Sequence, residues 1–259
     1  MIQCDATVTD AGQIGPFRRI RLEARRVAAA LSAGRFALTD LGEYLRTPLF
    51  PAHLDQKGFD VFVAADHPVA ALQPSTQLNL IGPLGRGYEV PKGARNVLLV
   101  ADVPHLPVLL PLTHQEIGFP KKPGVSVALL LSATAASDLY PIHLLPPSLE
   151  VQIATEDGSA GHAGPVLDLL PDMVGWADCI CIAADPVMYQ SMADVVMGVM
   201  THARLMPSRA ARRRRFAQAL VVPTMPCGVG ACQGCAVSTH RAPKLACTDG
   251  PVFDLLNLL

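Results

Sequence analysis

The sequence predicts three blocks: an antiparallel β-barrel over residues 1–93, a parallel α/β domain over 94–200, and, past a linker at 201–222, a small cysteine-rich domain over 223–259. Three observations predict it. The early apolar runs are short, alternating and punctuated by Gly and Pro. The middle runs are apolar throughout and separated by segments able to form helices. Four of the seven cysteines crowd into the last 33 of 259 residues.

In the first block, Phe17–Leu22, Phe59–Ala64 and Gln77–Ile81 read as strands with one wet face, the pattern of an antiparallel barrel. In the second, Asn96–Ala101, Ser126–Leu131, Glu150–Ala154 and Cys179–Ala183 are compact apolar runs, and Val187–Met200 suits a helix. Strands buried on both faces and alternating with helices imply a parallel sheet. The linker opens on Pro207-Ser208 and carries Arg209 and Arg212–Arg215, which read as a solvated connector.

The composition excludes several classes. Half the residues are hydrophobic, enough for real cores, and the formal net charge of −1 offers no field for nucleic acid or an anionic membrane. No apolar run reaches the ~18–20 residues of a membrane-spanning helix. Met1–Asp5 lacks a signal-peptide pattern, so the expected compartment is the cytoplasm. The eight histidines show no ligand spacing, Ser159 lies in no nucleophile elbow, and Asp157 and Asp185 read as turn or cap residues. No catalytic acid, base or nucleophile is assigned.

The cysteines carry the chemistry. Cys179 and Cys181 alternate along a buried strand, point to opposite faces and read as small hydrophobes. Cys227, Cys232, Cys235 and Cys247 follow the spacing C-x4-C-x2-C-x11-C, which opens as the plant-type 2Fe–2S pattern does. One iron of such a cluster takes two thiolates from a tight loop; the other takes one from the loop and one from a distant turn. Gly228, Gly230 and Gly234 lie between the thiols, where the backbone must curl and aim N–H groups at sulfur. A structural zinc site is the rival, but zinc sites usually offer two separated C-x2-C knuckles.

At this tail the chain resembles the electron-transfer subunit of dihydroorotate dehydrogenase B, a family of ferredoxin-reductase-like flavoproteins. Cys227–Cys235 is similar to its cluster loop, and Cys247-Thr-Asp-Gly-Pro-Val-Phe-Asp254 to its closing segment. The resemblance implies a flavin-binding barrel, a nicotinamide-binding α/β domain and a 2Fe–2S domain, in the order of the three blocks. Gly82-Pro83-Leu84-Gly85-Arg86-Gly87-Tyr88 is similar to the family turn that runs close to the flavin, and Ser32–Phe36 to a neighbouring element. In the flavin signature Thr47 and Phe50 stand where the family has arginine and serine. Arg46 beside Pro48 is then the candidate for the flavin phosphate, and FAD stays open. Glu156–Gly164 is similar to a further family loop.

The nicotinamide signatures depart further. The glycine-rich turn becomes Ala101-Asp102-Val103-Pro104-His105-Leu106-Pro107, and the second signature becomes Ala183-Ala184-Asp185-Pro186-Val187-Met188. Without those glycines, and with Asp102 facing any pyrophosphate, NAD binding is not expected. The resulting expectation is an electron-transfer subunit that relays electrons through its cluster, with FAD open, to or from a flavin-bearing dehydrogenase subunit in a hetero-oligomer, without nucleic acid or membrane. The alternatives are a self-sufficient NAD(P)H-dependent flavin reductase and a non-catalytic scaffold with a structural metal.

Overall fold

The computed structural model describes residues 1–114, 124–202 and 216–258. Its contacts form two compact units: Met1–Tyr88 with Val221–Val252, and Glu89–Leu220 with Phe253–Leu259.

The first unit is built on a seven-stranded sheet: β1 (Ile2–Ile14), β2 (Phe17–Glu23), β3 (Phe36–Thr39), β4 (Thr47–Leu49), β5 (His53–Leu54), β6 (Gly58–Val63) and β7 (Gln77–Leu84), with a short helix α1 (Arg25–Ala28). The hydrogen-bonded order is β4-β3-β7-β1-β2-β6-β5, and the pairs are antiparallel. Where the sequence reading expects an antiparallel barrel, the structure has an antiparallel sheet whose order runs from β4 to β5. Period-two patterning builds its core: Ala6 and Val8, Ile20 and Leu22, Phe59 and Val61, and Leu78 and Leu80 send alternate side chains into one buried cluster. Val27 and Ala28 of α1 pack into the same cluster.

The second unit holds β8 (Asn96–Asp102), α2 (Leu106–Leu112), β9 (Ser126–Ala133), β10 (Glu150–Thr155), β11 (His162–Ala163), α3 (Leu170–Val174), β12 (Cys179–Ala183), α4 (Tyr189–His202) and β13 (Ala217–Leu220). These strands run parallel in the order β11-β10-β9-β8-β12-β13. Burial on both faces explains their sequences: Val97–Ala101 and Cys179–Ala183 are buried at every position. Cys179 and Cys181 are fully buried, as the strand reading expects. The inward residues of α4, Tyr189, Met192, Ala193, Val196 and Met200, recur at helical spacing. Among the described residues no helix is long and apolar enough to cross a membrane.

The linker expectation is corrected at its end. Ala217–Leu220 is a fully buried strand paired with β12, because Ala-Gln-Ala-Leu is compact enough to lie inside the parallel sheet. Gln218 there is wholly buried and closes both bonds with Glu89: its Nε2 donates to the Glu89 carbonyl at 2.9 Å, and the Glu89 N–H donates to its Oε1 at 3.0 Å. Arg209 and Arg212–Arg215 lie outside the described residues.

Candidate functional site

The cysteine-rich segment belongs to the first unit and contains one small hairpin. Its strands, β14 (Ala236–Val237) and β15 (Lys244–Leu245), pair antiparallel with Ala236 opposite Leu245. That register decides where the fourth cysteine lands. The Ala246 N–H donates to the Cys235 carbonyl at 3.0 Å. The Asp249 N–H returns to the Leu245 carbonyl at 2.7 Å, while Asp249 Oδ2 accepts from the Leu245 N–H at 3.0 Å. The eleven-residue spacer is thereby closed, and Cys235 and Cys247 meet with their sulfurs 3.3 Å apart, both buried.

The other two thiols form a second pair. The Cys232 N–H and the Val229 N–H each donate to Cys227 Sγ at 3.5 Å, and the Gly234 N–H donates to Cys232 Sγ at 3.4 Å. The N–H of Cys232, then that of Val229, bring the Cys227 thiol down to about 6, so it is poised as a thiolate. The Cys232 side chain adds a smaller pull that also lowers the Cys227 thiol. Burial pushes the Cys247 thiol up to about 11. Cys232 is exposed and Cys227 partly so, which places this pair outermost.

The loop needs unusual backbone at Gly228, whose φ is +68°. A Cβ there would fall 2.4 Å from Leu38 Cδ1 and 3.0 Å from Leu84 Cδ1, so the loop rests directly on β3 and β7. Gln233, between the last two loop cysteines, also adopts a left-handed φ of 57°. Sequence reasoning credited only the glycines; Gln233 went unnoticed because its residue type carries no such signal.

These residues fit a two-iron cluster. The thiols are grouped in pairs, one pair per iron, with backbone N–H groups on the outer sulfurs. Among the described residues, no three or more His, Cys, Asp or Glu side chains are gathered closely enough to hold one metal ion.

The remaining candidates lie in the same unit. Gly82, Pro83 and Leu84 end β7, and Gly85, Arg86 and Gly87 form the turn beyond it. The close approach made here is to the protein's own chain. A Cβ on Gly85 would come 2.7 Å from the Gly250 carbonyl and Pro251 Cδ, and one on Gly87 would come 2.2 Å from the Ala33 carbonyl. The Arg86 N–H donates to the Gly250 carbonyl at 2.5 Å, and the Val252 N–H to the Arg86 carbonyl at 3.4 Å. The turn therefore seats the segment that closes the cluster loop. Arg46 immediately precedes β4, where Pro48 faces Leu38. Arg46 Nη1 is buried with no hydrogen-bond partner, the one side-chain nitrogen or oxygen among the described residues in that state. A buried donor of this kind asks for an acceptor, and a flavin phosphate is a fitting one.

Comparison with known proteins agrees with this geometry. Residues 223–259 match the family model for the iron–sulfur cluster binding domain of dihydroorotate dehydrogenase B. Over longer stretches the chain resembles proteins named dihydroorotate dehydrogenase B (NAD(+)), electron transfer subunit. The one from Geobacillus thermodenitrificans is 28% identical, over 90% of this chain and 89% of that protein. The one from Shouchella clausii is 29% identical, over 81% and 78%. Among solved structures, an NADH-dependent reduced ferredoxin-NADP oxidoreductase aligns with a TM-score of 0.77 at 21% identity, over 98% of this chain and 89% of that one. A cytochrome P450 reductase from Amycolatopsis aligns at 0.62 and 18%, over 78% and 68%. The fold is ferredoxin-reductase-like, with an antiparallel sheet, a parallel α/β sheet and the iron–sulfur segment at the C-terminus.

Proposed function

We propose that this chain is the electron-transfer subunit of an oxidoreductase complex, relaying electrons between a flavin-bearing dehydrogenase subunit and its own 2Fe–2S cluster. The observation that carries this is the pairing of four thiols, Cys227 with Cys232 and Cys235 with Cys247. A cluster of this type, when bound, supplies reversible one-electron chemistry. The protein's part is to hold it. The buried pair anchors one side, and the outer pair, with the exposed Val229 between its members, turns the other side toward solvent and a docking partner. The N–H groups of Val229, Cys232 and Gly234 stabilise negative charge on the outer sulfurs, which favours the reduced state.

In this reading residues 1–93 are the flavin-binding unit, built on the antiparallel sheet, with Arg46 on the FAD phosphate and the 82–88 turn beside the flavin. Residues 94–200, with the strand at 217–220, are a nucleotide-binding domain in form, and 223–259 are the cluster domain. The relatives are named electron transfer subunits of dihydroorotate dehydrogenase B, which supports a catalytic partner subunit acting on dihydroorotate; in this reading the hetero-oligomer is cytoplasmic and serves pyrimidine synthesis. The test is anaerobic purification of the full chain with its co-purifying subunits, followed by iron, acid-labile sulfide and flavin analysis. Iron and sulfide in equal amounts, with a rhombic paramagnetic signal on reduction, are expected. Stoichiometric zinc without sulfide would refute it.

A further inference from the structure

The parallel sheet of the second unit has a topological switch point. From β8 the chain proceeds to β9 and β10 on one side, then crosses to β12 and β13 on the other. Sheets of this kind bind nucleotides in the crevice between the two strands where the order reverses, at their carboxyl ends. There a phosphate takes the N–H groups of the turns leading into the following helices. In this chain the crevice lies between the ends of β8 and β12, and the residues there are Asp102 and Ala183–Asp185.

Those N–H groups are already taken. Asp102 Oδ1 accepts from the His105 N–H at 3.0 Å, and His105 Nδ1 lies 2.6 Å from the same oxygen. Asp102 Oδ2 reaches across the switch point and accepts from the Asp185 N–H at 2.8 Å. The Ala184 N–H donates to the Tyr189 hydroxyl at 3.5 Å, and that hydroxyl donates to the Leu220 carbonyl. The Val187 N–H is capped by Asp185 Oδ1 at 2.9 Å. Four donors on the two turns, His105, Ala184, Asp185 and Val187, are all satisfied from within the chain, and two carboxylates stand where an anion would arrive.

We infer that Asp102 is a built-in substitute for the phosphate of a dinucleotide. It bridges β8 and β12 with its own negative charge and bars nicotinamide dinucleotides from the switch point. It is a specificity residue acting by exclusion. Its two oxygens satisfy the same donors a pyrophosphate would use, and its charge repels any pyrophosphate that competes. The second unit is then a scaffold with the form of a nucleotide domain, and electrons reach this chain from a protein partner rather than from NAD(P)H. This goes beyond the cluster reading and does not depend on it.

The test uses the full chain. Wild type is titrated with NADH by fluorescence and with NAD+ by calorimetry, and no saturable binding is expected into the millimolar range. Asp102→Ala is expected to lower the melting midpoint by roughly 5 °C through loss of the bridging hydrogen bonds. Inorganic pyrophosphate should then raise the variant's midpoint while leaving that of wild type unmoved. If Asp102→Ala does not fold, Asp102→Asn, which keeps one acceptor, should show a smaller drop and a smaller rescue. Saturable NADH binding to wild type overturns the inference. So does a folded variant that pyrophosphate leaves unchanged. Iron and sulfide content, measured alongside, reports on the cluster separately: its absence would refute the relay and leave this result standing.

Discussion

Replacing Gly228 by alanine tests whether the cluster loop is seated on the β3–β7 surface. Two costs can be worked out. At φ +68° an L-residue pays about 1–2 kcal/mol. Its Cβ would also lie 2.4 Å from Cδ1 of the fully buried Leu38, and such overpacking costs about 1–3 kcal/mol. The expected loss is therefore about 2–5 kcal/mol. Leu38→Ala alone removes a core side chain and should cost about 2–5 kcal/mol by the cavity it leaves. Combining the two lets the new methyl enter the vacated space, so the clash with Leu38 disappears and the backbone strain and the tighter contact with Leu84 remain. The double variant should be more stable than the sum of the singles by about 1–3 kcal/mol. Urea unfolding of the four proteins, followed by circular dichroism, closes the cycle, and iron content reads whether the loop still holds its metal. Additivity within about 0.5 kcal/mol would mean the two residues do not meet, and the reasoning would fail.

Further outcomes follow from the same contacts. Cys235→Ser and Cys247→Ser should each abolish iron retention, since either leaves one member of the buried pair without its partner; full iron content in either variant would contradict the pairing. Arg46→Gln should cut the flavin recovered with the purified complex by tenfold or more, because a charged donor to phosphate is worth about 1.5–3 kcal/mol; unchanged flavin-to-protein ratios would dismiss Arg46 as the contact. Gln218→Leu removes both hydrogen bonds to Glu89 and should destabilise by about 1–3 kcal/mol, visible in the urea midpoint, and an unmoved midpoint would disprove it. The Arg21 guanidinium, aided by the N–H groups of Lys57 and Gly58, holds the Asp55 carboxyl down at about 2. Being depressed below its unfolded value of about 3.9, it contributes stability that is whole above pH ~4 and lost as pH falls through about 2. Asp55→Asn should then differ from wild type at neutral pH, by under about 1 kcal/mol at so exposed a pair, and converge with it near pH 2. A gap independent of pH across that window would reject the assignment.

Much of this was legible in the residues themselves. Cysteine number and spacing are local covalent facts, so the four candidate ligands could be named without coordinates. The strands of the parallel sheet could be found because burial on both faces leaves an uninterrupted apolar run, as in Val97–Ala101. Ala217–Leu220 escaped notice because four residues are too few for a periodic pattern beside an arginine-rich stretch, and only its pairing with β12 makes it a strand. Gln218 escaped because a buried polar residue is recognised only by its partner, which stands 129 residues away in the chain.

By itself, then, the order of residues determined which atoms could bind metal and which segments were apolar enough to be buried, since both are properties of side chains read one at a time or at short period. Only the tertiary structure decided which thiol meets which, that the 82–88 glycines seat the closing segment, and that Asp102 spans two strands to hold the Asp185 N–H. Those depend on strand order and hairpin register, which bring distant positions within a few ångströms, and no local pattern encodes a distance between residues so far apart in the chain.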